Sequence, residues 1–233
     1  MMMTVRKANE RGVGEHGWLH SRHTFSFAGY FDPQHTGYRS LRVINEDKVE
    51  PARGFGKHPH EDMEIVSYVV AGELAHEDST GTKQTLGRGG VQFMSAGSGI
   101  FHSEFNGSKT DPVHFLQIWI RPARKGTEPR YLDKNFDEEL ETSDWVTLLS
   151  PKPTNGAIQI GQDAVMLAAR PKTGQVLEHS LEQERGAWIQ MISGRIEIEG
   201  QELQPGDGAI VENVDTIRLD VKDDAELLLF DLA

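Results

Sequence analysis

The 233-residue chain contains no cysteine. This absence excludes disulfide bonds, thiolate nucleophiles and cysteine-based zinc sites together. Positive charge is also scarce, since 24 Lys and Arg residues stand against 36 Asp and Glu residues, for a formal net charge of −12. Such a surface repels phosphate backbones, so we expect no direct nucleic-acid partner.

Long hydrophobic runs are missing as well. No apolar stretch approaches the roughly 20 residues that a membrane-spanning helix needs. The opening "MMMTVRKANERG" turns polar within a few residues and is not followed by the apolar core of a signal peptide. We therefore expect a soluble, cytoplasmic protein without a membrane partner.

Extended helical periodicity is nearly absent. The best helical candidate is the short charged stretch "DKNFDEELE", residues 133–141. The chain instead contains short runs rich in Val, Ile, Leu and aromatic residues, most of them bounded by turn residues such as its 24 glycines. These runs are "SLRVINEDKV", "MEIVSYVVAGEL", "GGVQFMSAG", "VHFLQIWIRP", "AWIQMISGRIEIEG", "GDGAIVENV" and "AELLLFDL". The pattern predicts an all-β protein of sandwich or barrel type.

One order of features occurs twice along the chain. Residues 67–94 and 189–211 both read as an apolar strand, a glycine, a second strand, a turn, a leucine, a glycine-containing turn and a third strand. This predicts two similar β units. Residues 121–156 are rich in proline and charge, as expected of a linker. We therefore predict an N-terminal domain over residues 1–130 and a C-terminal domain over residues 131–233.

Two pairs of potential metal ligands occur in the first unit. His58 and His60 lie in "GFGKHPHEDME", and His102 and Glu104 lie in "MSAGSGIFHSEFN". Residues i and i+2 of a strand project from the same face, so the two pairs can converge on one point. Three imidazoles and one carboxylate suit Fe, Zn, Cu, Ni or Mn better than Mg or Ca, and such a set is more typical of a catalytic than of a structural site.

Two points stay open from the residues alone. Histidines at a strand edge serve many purposes besides metal binding. Glu64 would share the face of the first histidine pair if the strand ran unbroken, but Pro59 disfavours regular pairing there. We favour Glu104 as the carboxylate ligand because its i, i+2 relation to His102 is the simpler geometry. Glu64 is then interpreted as a surface or supporting group.

Several stretches resemble one known family. "GFGKHPHEDMEIVSYVVAGEL" and "MSAGSGIFHSEFN" resemble the two cupin motifs in the form used by the pirin family. The opening "RKANERGVGEHGWLHSRHTFSFAGYFDP" is similar to the start of its bacterial, quercetinase-like members, as are "QIWIRP" and the final "ELLLFDL". The resemblance covers essentially the whole chain. It implies a bicupin, with two tandem cupin β-barrel (jelly-roll) domains, short connecting helices and a metal in the N-terminal barrel.

The resemblance also implies a site and an activity. Carried over residue by residue, it assigns His58, His60, His102 and Glu104 as ligands of one divalent ion, with Glu104 also as the catalytic base. Fe(II) is the expected ion, with Zn, Ni, Mn, Co and Cu as alternatives. Some family members open the flavonol quercetin with O2 and release CO, so we expect a cupin dioxygenase with a small phenolic or flavonol substrate. The alternative is a redox-sensing regulatory protein that acts through protein partners. Two barrels in one chain favour a monomer.

The chain departs from the general cupin pattern in two places. Position 97 is glycine where many cupins have proline, and His179 is the single histidine of the second unit, so we expect no second metal site of this kind. For the stretch "HGWLHSRH" we favour ordinary hydrogen-bonding histidines (His16, His20 and His23) over a second metal site. No function is assigned to the isolated histidines His35, His76, His114 and His179. The tryptophans are expected in the core: Trp18, Trp119, Trp145 and Trp188.

Overall fold

The computed structural model of the chain describes residues 1–152, 154 and 156–233. Two positions of the predicted linker, 153 and 155, lie outside the described residues. Within the described ranges, no helix is both long enough and apolar enough to cross a membrane.

Short β-strands make up most of the described chain. The first are β1 (Met2–Arg6), β2 (Gly12–Glu15), β3 (Leu19–His23), β4 (Leu41–Val49), β5 (Gly54–His60), β6 (Glu64–Ala71), β7 (Leu74–Asp78), β8 (Lys83–Leu86), β9 (Gly90–Ser95), β10 (Ile100–Asn106), β11 (Val113–Ile120) and β12 (Arg130–Asn135). The others are β13 (Val146–Ser150), β14 (Ile158–Gln159), β15 (Ala164–Ala169), β16 (Val176–Ser180), β17 (Gly186–Ser193), β18 (Ile196–Ile198), β19 (Gln201–Leu203), β20 (Gly208–Glu212), β21 (Thr216–Val221) and β22 (Glu226–Leu232). Each apolar run named above contains a strand, which confirms the all-β prediction.

The helical elements are short. A 3-10 helix spans Ala8–Glu10, and the α-helix α1 spans Asp137–Thr142. The prediction of helix from residue 133 was wrong at its start, because the chain up to Asn135 continues β12 and pairs with β9. The backbone N–H of Asp137 donates to Oδ1 of Asn135 at 2.8 Å, an interaction that satisfies one of the free N–H groups at the start of α1.

The chain forms two compact units. The N-terminal barrel comprises Gly12–Asp137, and the C-terminal barrel comprises Glu138–Ala233 together with Met1–Arg11. β1 belongs to the C-terminal barrel because it pairs antiparallel with β20. The domain limits 1–130 and 131–233 stay a prediction, from which the compact units differ in the placement of β1 and of β12.

Each barrel combines a seven-stranded sheet with a four-stranded sheet. In the N-terminal barrel the large sheet has the order β12-β9-β6-β11-β4-β3-β2 and the small sheet the order β5-β10-β7-β8. In the C-terminal barrel the orders are β1-β20-β17-β22-β15-β13-β14 and β16-β21-β18-β19. The two sets correspond position by position, so β6 and β11 of one barrel are equivalent to β17 and β22 of the other. The repeat in the sequence therefore reflects a repeat in topology.

The interiors of the two barrels differ in polarity. One apolar cluster of buried side chains fills the C-terminal barrel. Among the described residues, the N-terminal barrel has two smaller apolar clusters, one that includes Val69 and Phe115 and one that includes Ile65 and Met94. Ser67 lies between Ile65 and Val69 on the same face of β6, because side chains alternate along a strand. A polar layer thus separates the two apolar clusters.

The turn between β9 and β10 accounts for the glycine at position 97. Gly97 has φ 48°, in the left-handed region that proline cannot adopt. A Cβ on Gly97 would lie 2.0 Å from the carbonyl oxygen of Thr127. The neighbouring Ser98 N–H donates to that same oxygen at 2.8 Å, so the backbone cannot easily move away. The turn determines where β10, with its His102 and Glu104, begins.

Candidate metal centre

Two neighbouring strands of the small sheet bring three histidines together. His58 and His60 lie on β5, and His102 on β10 stands opposite His58 in the antiparallel pairing. The ring centroids of His58 and His102 are 4.4 Å apart, and both other pairs are 4.8 Å apart. One nitrogen of each ring lies within 4.8 Å of the chosen nitrogens of the other two. The structure therefore places the three predicted histidines around one point.

Pro59 does not interrupt β5. The strand runs on to His60, and Pro59 pairs with Phe101 of β10. β5 is the edge strand of its sheet, where a residue without an N–H is tolerated because that position can face away from the ladder. The regular strand is what projects His58 and His60 from the same face.

The protonation of the imidazoles suits a metal. The backbone carbonyl of Gly56 lies 2.8 Å from Nδ1 of His58, which favours the proton on Nδ1 and leaves Nε2 as a ligand. Burial, together with the neighbouring histidines His102 and His58, lowers the pKa of His60 to about 4. Burial also lowers the pKa of His102 to about 4, against the opposing charge of Glu104. His60 and His102 are thus neutral near pH 7, the form that coordinates metals.

The buried nitrogens of this cluster lack protein partners. Nε2 of His60 and both ring nitrogens of His102 make no hydrogen bond to any described residue. An unsatisfied buried polar group costs about 1–3 kcal/mol. A divalent ion would satisfy Nε2 of His60 and one of the two ring nitrogens of His102, and imidazole donors suit Zn, Cu, Fe and Ni. The residues therefore fit a bound metal.

Glu104 is held from the opposite sheet. It lies on β10 two residues after His102, is only 1% exposed, and has a carboxylate oxygen within 4.8 Å of a ring nitrogen of His102. Ser67 Oγ and Gln92 Nε2 donate to its Oε1, each at 2.8 Å. Gln117 Nε2 donates to its Oε2 at 2.7 Å. Three strands of the large sheet, β6, β9 and β11, therefore fix one carboxylate of the small sheet.

Aromatic side chains orient the two amides. Trp119 Nε1 donates to Oε1 of Gln117 at 3.2 Å, and the Tyr131 hydroxyl donates to Oε1 of Gln92 at 3.5 Å. Since each amide oxygen accepts from an aromatic donor, each amide nitrogen is turned toward Glu104. The orientation of the carboxylate is thus set by a network that reaches beyond its direct partners.

Glu104 stays ionised despite its burial. Burial alone raises the pKa of this carboxyl, but the positive charge that His102 carries when protonated at low pH and the hydrogen bonds from Gln117 and Ser67 outweigh it and hold the pKa below its usual range. A carboxylate that accepts several hydrogen bonds favours its charged form. It is therefore available as an anionic metal ligand or as a base.

Glu64 lies on a different element. It is the first residue of β6, in the large sheet, after a turn in which Asp62 has φ 48°. The face that His58 and His60 share thus does not extend to Glu64. Among the residues that the structure describes, Glu64 is in neither group of candidate ligand atoms. Glu64 is buried, so it is not the surface group considered as one possibility, and its supporting role stays a prediction.

The sequence interpretation missed His76. This buried residue lies on β7 directly opposite Glu104, and its ligand atoms group with those of His102 and Glu104 within 4.8 Å. Its Nε2 lies 3.1 Å from Oδ2 of Asp78, and its ring stacks on Tyr131 at 4.6 Å. The available signal was "LAHED", in which His76 and Asp78 share one strand face just as His102 and Glu104 do.

A pocket of about 520 Å³ opens onto the histidine cluster within the N-terminal barrel. His58, His60 and Glu104 are among the residues that line it. Two aromatic pairs form its walls: Trp18 with Phe55, and Phe27 with Trp119, both edge to face with centroids 5.4 and 5.3 Å apart. This volume lies in the usual range for small-molecule sites.

The other histidines and the tryptophans divide between pocket, surface and core. His16 and His23 line the pocket, whereas His20 faces away and contacts Glu15, so the three do not converge. The expectation of core tryptophans is confirmed for Trp188, which is buried. The other three are half-buried and pack against the apolar clusters: Trp18, Trp119 and Trp145. Trp18 and Trp119 also line the pocket. In the C-terminal barrel, His179 Nε2 pairs with Oδ2 of Asp231 at 2.9 Å.

Family models match both halves of the chain. The model described as Pirin matches residues 4–120, and the model described as the quercetinase C-terminal cupin domain matches residues 147–232. The matches agree with the predicted bicupin fold, with its two tandem cupin barrels.

Individual relatives cover the whole chain. Quercetin 2,3-dioxygenase of Escherichia coli K12 is 43% identical over 231 residues, covering 99% of both chains. The crystal structure of the bacterial pirin YhhW from Escherichia coli, in complex with nickel(II), superposes with a TM-score of 0.94 at 42% identity and 99% coverage of both chains. A quercetin 2,3-dioxygenase from Acinetobacter baumannii, 19% identical, has a TM-score of 0.82 over 98% of this chain and 85% of its own, and shows the same fold.

Proposed function

This chain belongs to the pirin family, and we propose that it is a metal-dependent dioxygenase that opens the heterocyclic ring of flavonols such as quercetin. The observation that carries the proposal is a cluster of three imidazoles beside a buried, ionised carboxylate, at an aromatic-walled pocket. A relative at 43% identity that is named quercetin 2,3-dioxygenase supports the choice of substrate class.

His58, His60, His102 and Glu104 would hold one divalent ion. When bound, such an ion supplies Lewis acidity toward a phenolic oxygen and redox chemistry toward O2. Fe(II) is our proposal for its identity, with Ni, Zn, Mn, Co and Cu as alternatives. The nickel(II) of the related pirin structure supports a divalent ion in general.

Glu104 would take the proton of the flavonol 3-hydroxyl. Its Oε1 already accepts two hydrogen bonds, whereas its Oε2 accepts one, from Gln117. Oε2 therefore has one free lone pair, which would accept that proton when Glu104 is not bound to the ion. Because three donors favour the charged carboxylate, Glu104 enters the reaction as a base and not as an acid.

The proposed reaction balances without an external reductant. Both atoms of O2 enter the organic product, and the carbon that bears the 3-hydroxyl leaves as CO after the two carbon–carbon bonds that join it to the ring break. Opening of the central ring leaves an ester, in which the carboxyl group of one aromatic acid is joined to a phenolic oxygen of a second aromatic acid. The aromatic walls of the pocket would exclude bulk water from the reacting atoms.

The test is O2 uptake and CO release with quercetin, using protein loaded separately with Fe, Mn, Co, Ni and Cu. We expect turnover with at least one of these ions, loss of metal in His58→Ala, and in Glu104→Gln a loss of kcat of about 10²–10⁴-fold. His20→Ala, a change at the surface, is the matched control. Absence of turnover with every ion would contradict the proposed activity.

Three further predictions accompany the activity. We propose that the protein is a monomer, that it is cytoplasmic, and that it binds no nucleic acid, the last in keeping with its net charge of −12. The regulatory alternative also stays a prediction. It requires a protein partner whose affinity differs between oxidised and reduced metal, which a pull-down under the two conditions would measure.

A further inference from the structure

The polar layer of the N-terminal barrel is a continuous row across its large sheet. Pairing places Gln92 of β9 opposite Ser67 of β6, Ser67 opposite Gln117 of β11, Gln117 opposite Asn45 of β4, and Asn45 opposite His23 of β3. These five residues, here called the polar row, stand side by side on the inner face of five adjacent strands. Inward-facing positions of a closed barrel are ordinarily filled by apolar side chains.

The C-terminal barrel supplies an internal comparison. Its equivalent strands place Ala209 of β20, Ile189 of β17, Leu229 of β22 and Leu167 of β15 in one row, and all four belong to the apolar core. The same topology therefore folds with an apolar row. Folding alone does not require the polar row of the N-terminal barrel.

Glu104 accounts for three of the five residues of the polar row. Gln92, Ser67 and Gln117 donate to its carboxylate. Asn45 and His23 make no hydrogen bond to Glu104, yet both line the pocket. Burying a polar side chain costs free energy unless all of its polar atoms find partners. Asn45 and His23 therefore call for a function separate from that of Glu104.

Two more polar residues lie beside Asn45 and His23. Ser21 and Asp47, paired with each other on β3 and β4, also line the pocket, and the Ser21 hydroxyl donates to Oδ1 of Asp47. Nδ1 of His23 lies 2.9 Å from Oδ1 of Asn45. Among the described residues, no hydrogen bond reaches Oδ2 of Asp47 or Nδ2 of Asn45. An acceptor and a donor thus remain on β4 in the lining of the pocket, and neither belongs to the groups of candidate ligand atoms.

We propose that Asn45 and Asp47 form a subsite for a phenolic hydroxyl of the substrate, a different hydroxyl from the one that is deprotonated beside Glu104. A phenolic hydroxyl both donates and accepts, so it can donate to Oδ2 of Asp47 and accept from Nδ2 of Asn45. The edge-to-face aromatic pairs of the walls fit planar rings on either side. The subsite selects flavonols with a hydroxylated phenyl ring, and in that respect it rests on the proposed function.

The charge state of Asp47 is compatible with this role. Burial raises its pKa to about 7, against the lowering effect of the Ser21 hydrogen bond, and the charge of Glu104 adds to the rise. Near neutral pH the carboxyl therefore exists in both forms. Either form can bond to a hydroxyl, because the acid donates and the carboxylate accepts.

Binding without oxygen separates recognition from chemistry. Two flavonols are compared, quercetin and the analogue whose phenyl ring has no hydroxyl groups, by quenching of tryptophan fluorescence in anaerobic, nickel-loaded protein. Trp18 and Trp119 line the pocket and serve as reporters. We expect wild type to bind quercetin about tenfold more tightly, as a hydrogen bond to a charged or polar buried group allows.

Variants assign the preference to the subsite. Asp47→Leu and Asn45→Leu, which remove the polar group and keep a side chain of similar size, should reduce the tenfold ratio to about twofold or less, while the affinity for the unsubstituted analogue stays within about twofold of wild type. Asp111→Asn, an exposed change in the same barrel, should keep the full ratio. The unsubstituted analogue reports whether each variant still folds a competent pocket.

The outcomes distinguish this proposal from the proposed activity. Equal wild-type affinities for the two flavonols, no binding of either, or an unchanged ratio in both variants would overturn the subsite. If the ratio behaves as expected but no ion supports O2 uptake, the activity fails and the subsite stands. If quercetin is turned over and the ratio is one, the activity stands and the subsite fails.

Discussion

Among single residues, Glu104 shows how a buried carboxylate can remain charged. Three neutral donors from three strands surround it, and each sits at the same level of the large sheet. Each donor side chain is neutral, so substituting it by an apolar residue leaves the charge of the protein unchanged. The contribution of each donor to catalysis is therefore accessible by conservative substitution.

Gln117→Leu is expected to reduce kcat about 10–100-fold with metal content unchanged. The substitution removes the 2.7 Å bond to Oε2, the oxygen that would accept the substrate proton, and leaves Trp119 Nε1 without its acceptor. Flavonol turnover and metal content of the same preparation provide the measurement. Gln201→Leu, on the exposed start of β19, is the matched control. Wild-type kcat in Gln117→Leu would show that the orientation of Glu104 is set elsewhere.

A second residue-level prediction concerns Asp231 in the C-terminal barrel. Burial raises the pKa of this carboxyl, but hydrogen bonds from His179 and Arg185 outweigh it, and the net shift is downward from the ordinary value of 3.8. A depressed pKa stabilises the fold above the unfolded-state pKa and loses that contribution as the pH falls through the native value. Asp231→Asn should therefore lower Tm at pH 7, and its difference from wild type should shrink below about pH 4. A difference that grows on acidification would contradict this sign.

On the scale of strands and turns, the sequence predicted more about the strands than about their boundaries. The apolar runs identified the central strands because Val, Ile and aromatic residues fit a half-buried pleated surface. The helix was predicted too early because the charged residues of β12 and α1 form one continuous polar stretch. The sequence suggested that Pro59 would disturb β5. Pro59 is tolerated because β5 is an edge strand, and that position follows from the sheet topology, which the sequence does not show.

Gly97→Ala tests the turn that positions β10. The substitution combines a left-handed φ with a Cβ 2.0 Å from the Thr127 carbonyl oxygen, and we expect a loss of about 3 kcal/mol or more in unfolding free energy. Gly126→Ala is the control, because its φ is 64° but nothing lies within 4 Å of its Cβ, and it should cost about 1–2 kcal/mol. Denaturant unfolding of both variants measures the two losses in unfolding free energy. Equal losses would mean that Thr127 moves aside freely.

At the scale of the whole molecule, the candidate ligands were predictable from the sequence: His58, His60, His102 and Glu104. They form two pairs, and within each pair the residues are two positions apart, so that they project from one face of a strand. The residues around Glu104 could not be predicted in this way: Ser67, Gln92, Gln117 and His76. Their contacts with Glu104 depend on cross-strand register, which a single sequence does not reveal. The pairing of β1 with β20 spans nearly the full chain and is hidden for the same reason.

Removal of the metal should loosen one barrel selectively. The candidate ligands all lie within Gly12–Asp137, so the free energy of metal binding should stabilise that unit. After chelation we expect faster amide hydrogen exchange in β5 and β10, with β17 and β22 unchanged. His102→Ala should reproduce the chelated pattern without chelator. Equal acceleration in all four strands would contradict a site confined to the N-terminal barrel.

Metal content per chain tests the central claim most directly, measured on protein purified without an affinity tag and kept away from chelators. We predict about one divalent ion per chain in wild type and in the surface control His20→Ala, and under about one tenth of that in His102→Ala. A metal-free wild type, or a His102→Ala protein with undiminished metal, would contradict the assignment of this cluster as the catalytic metal centre.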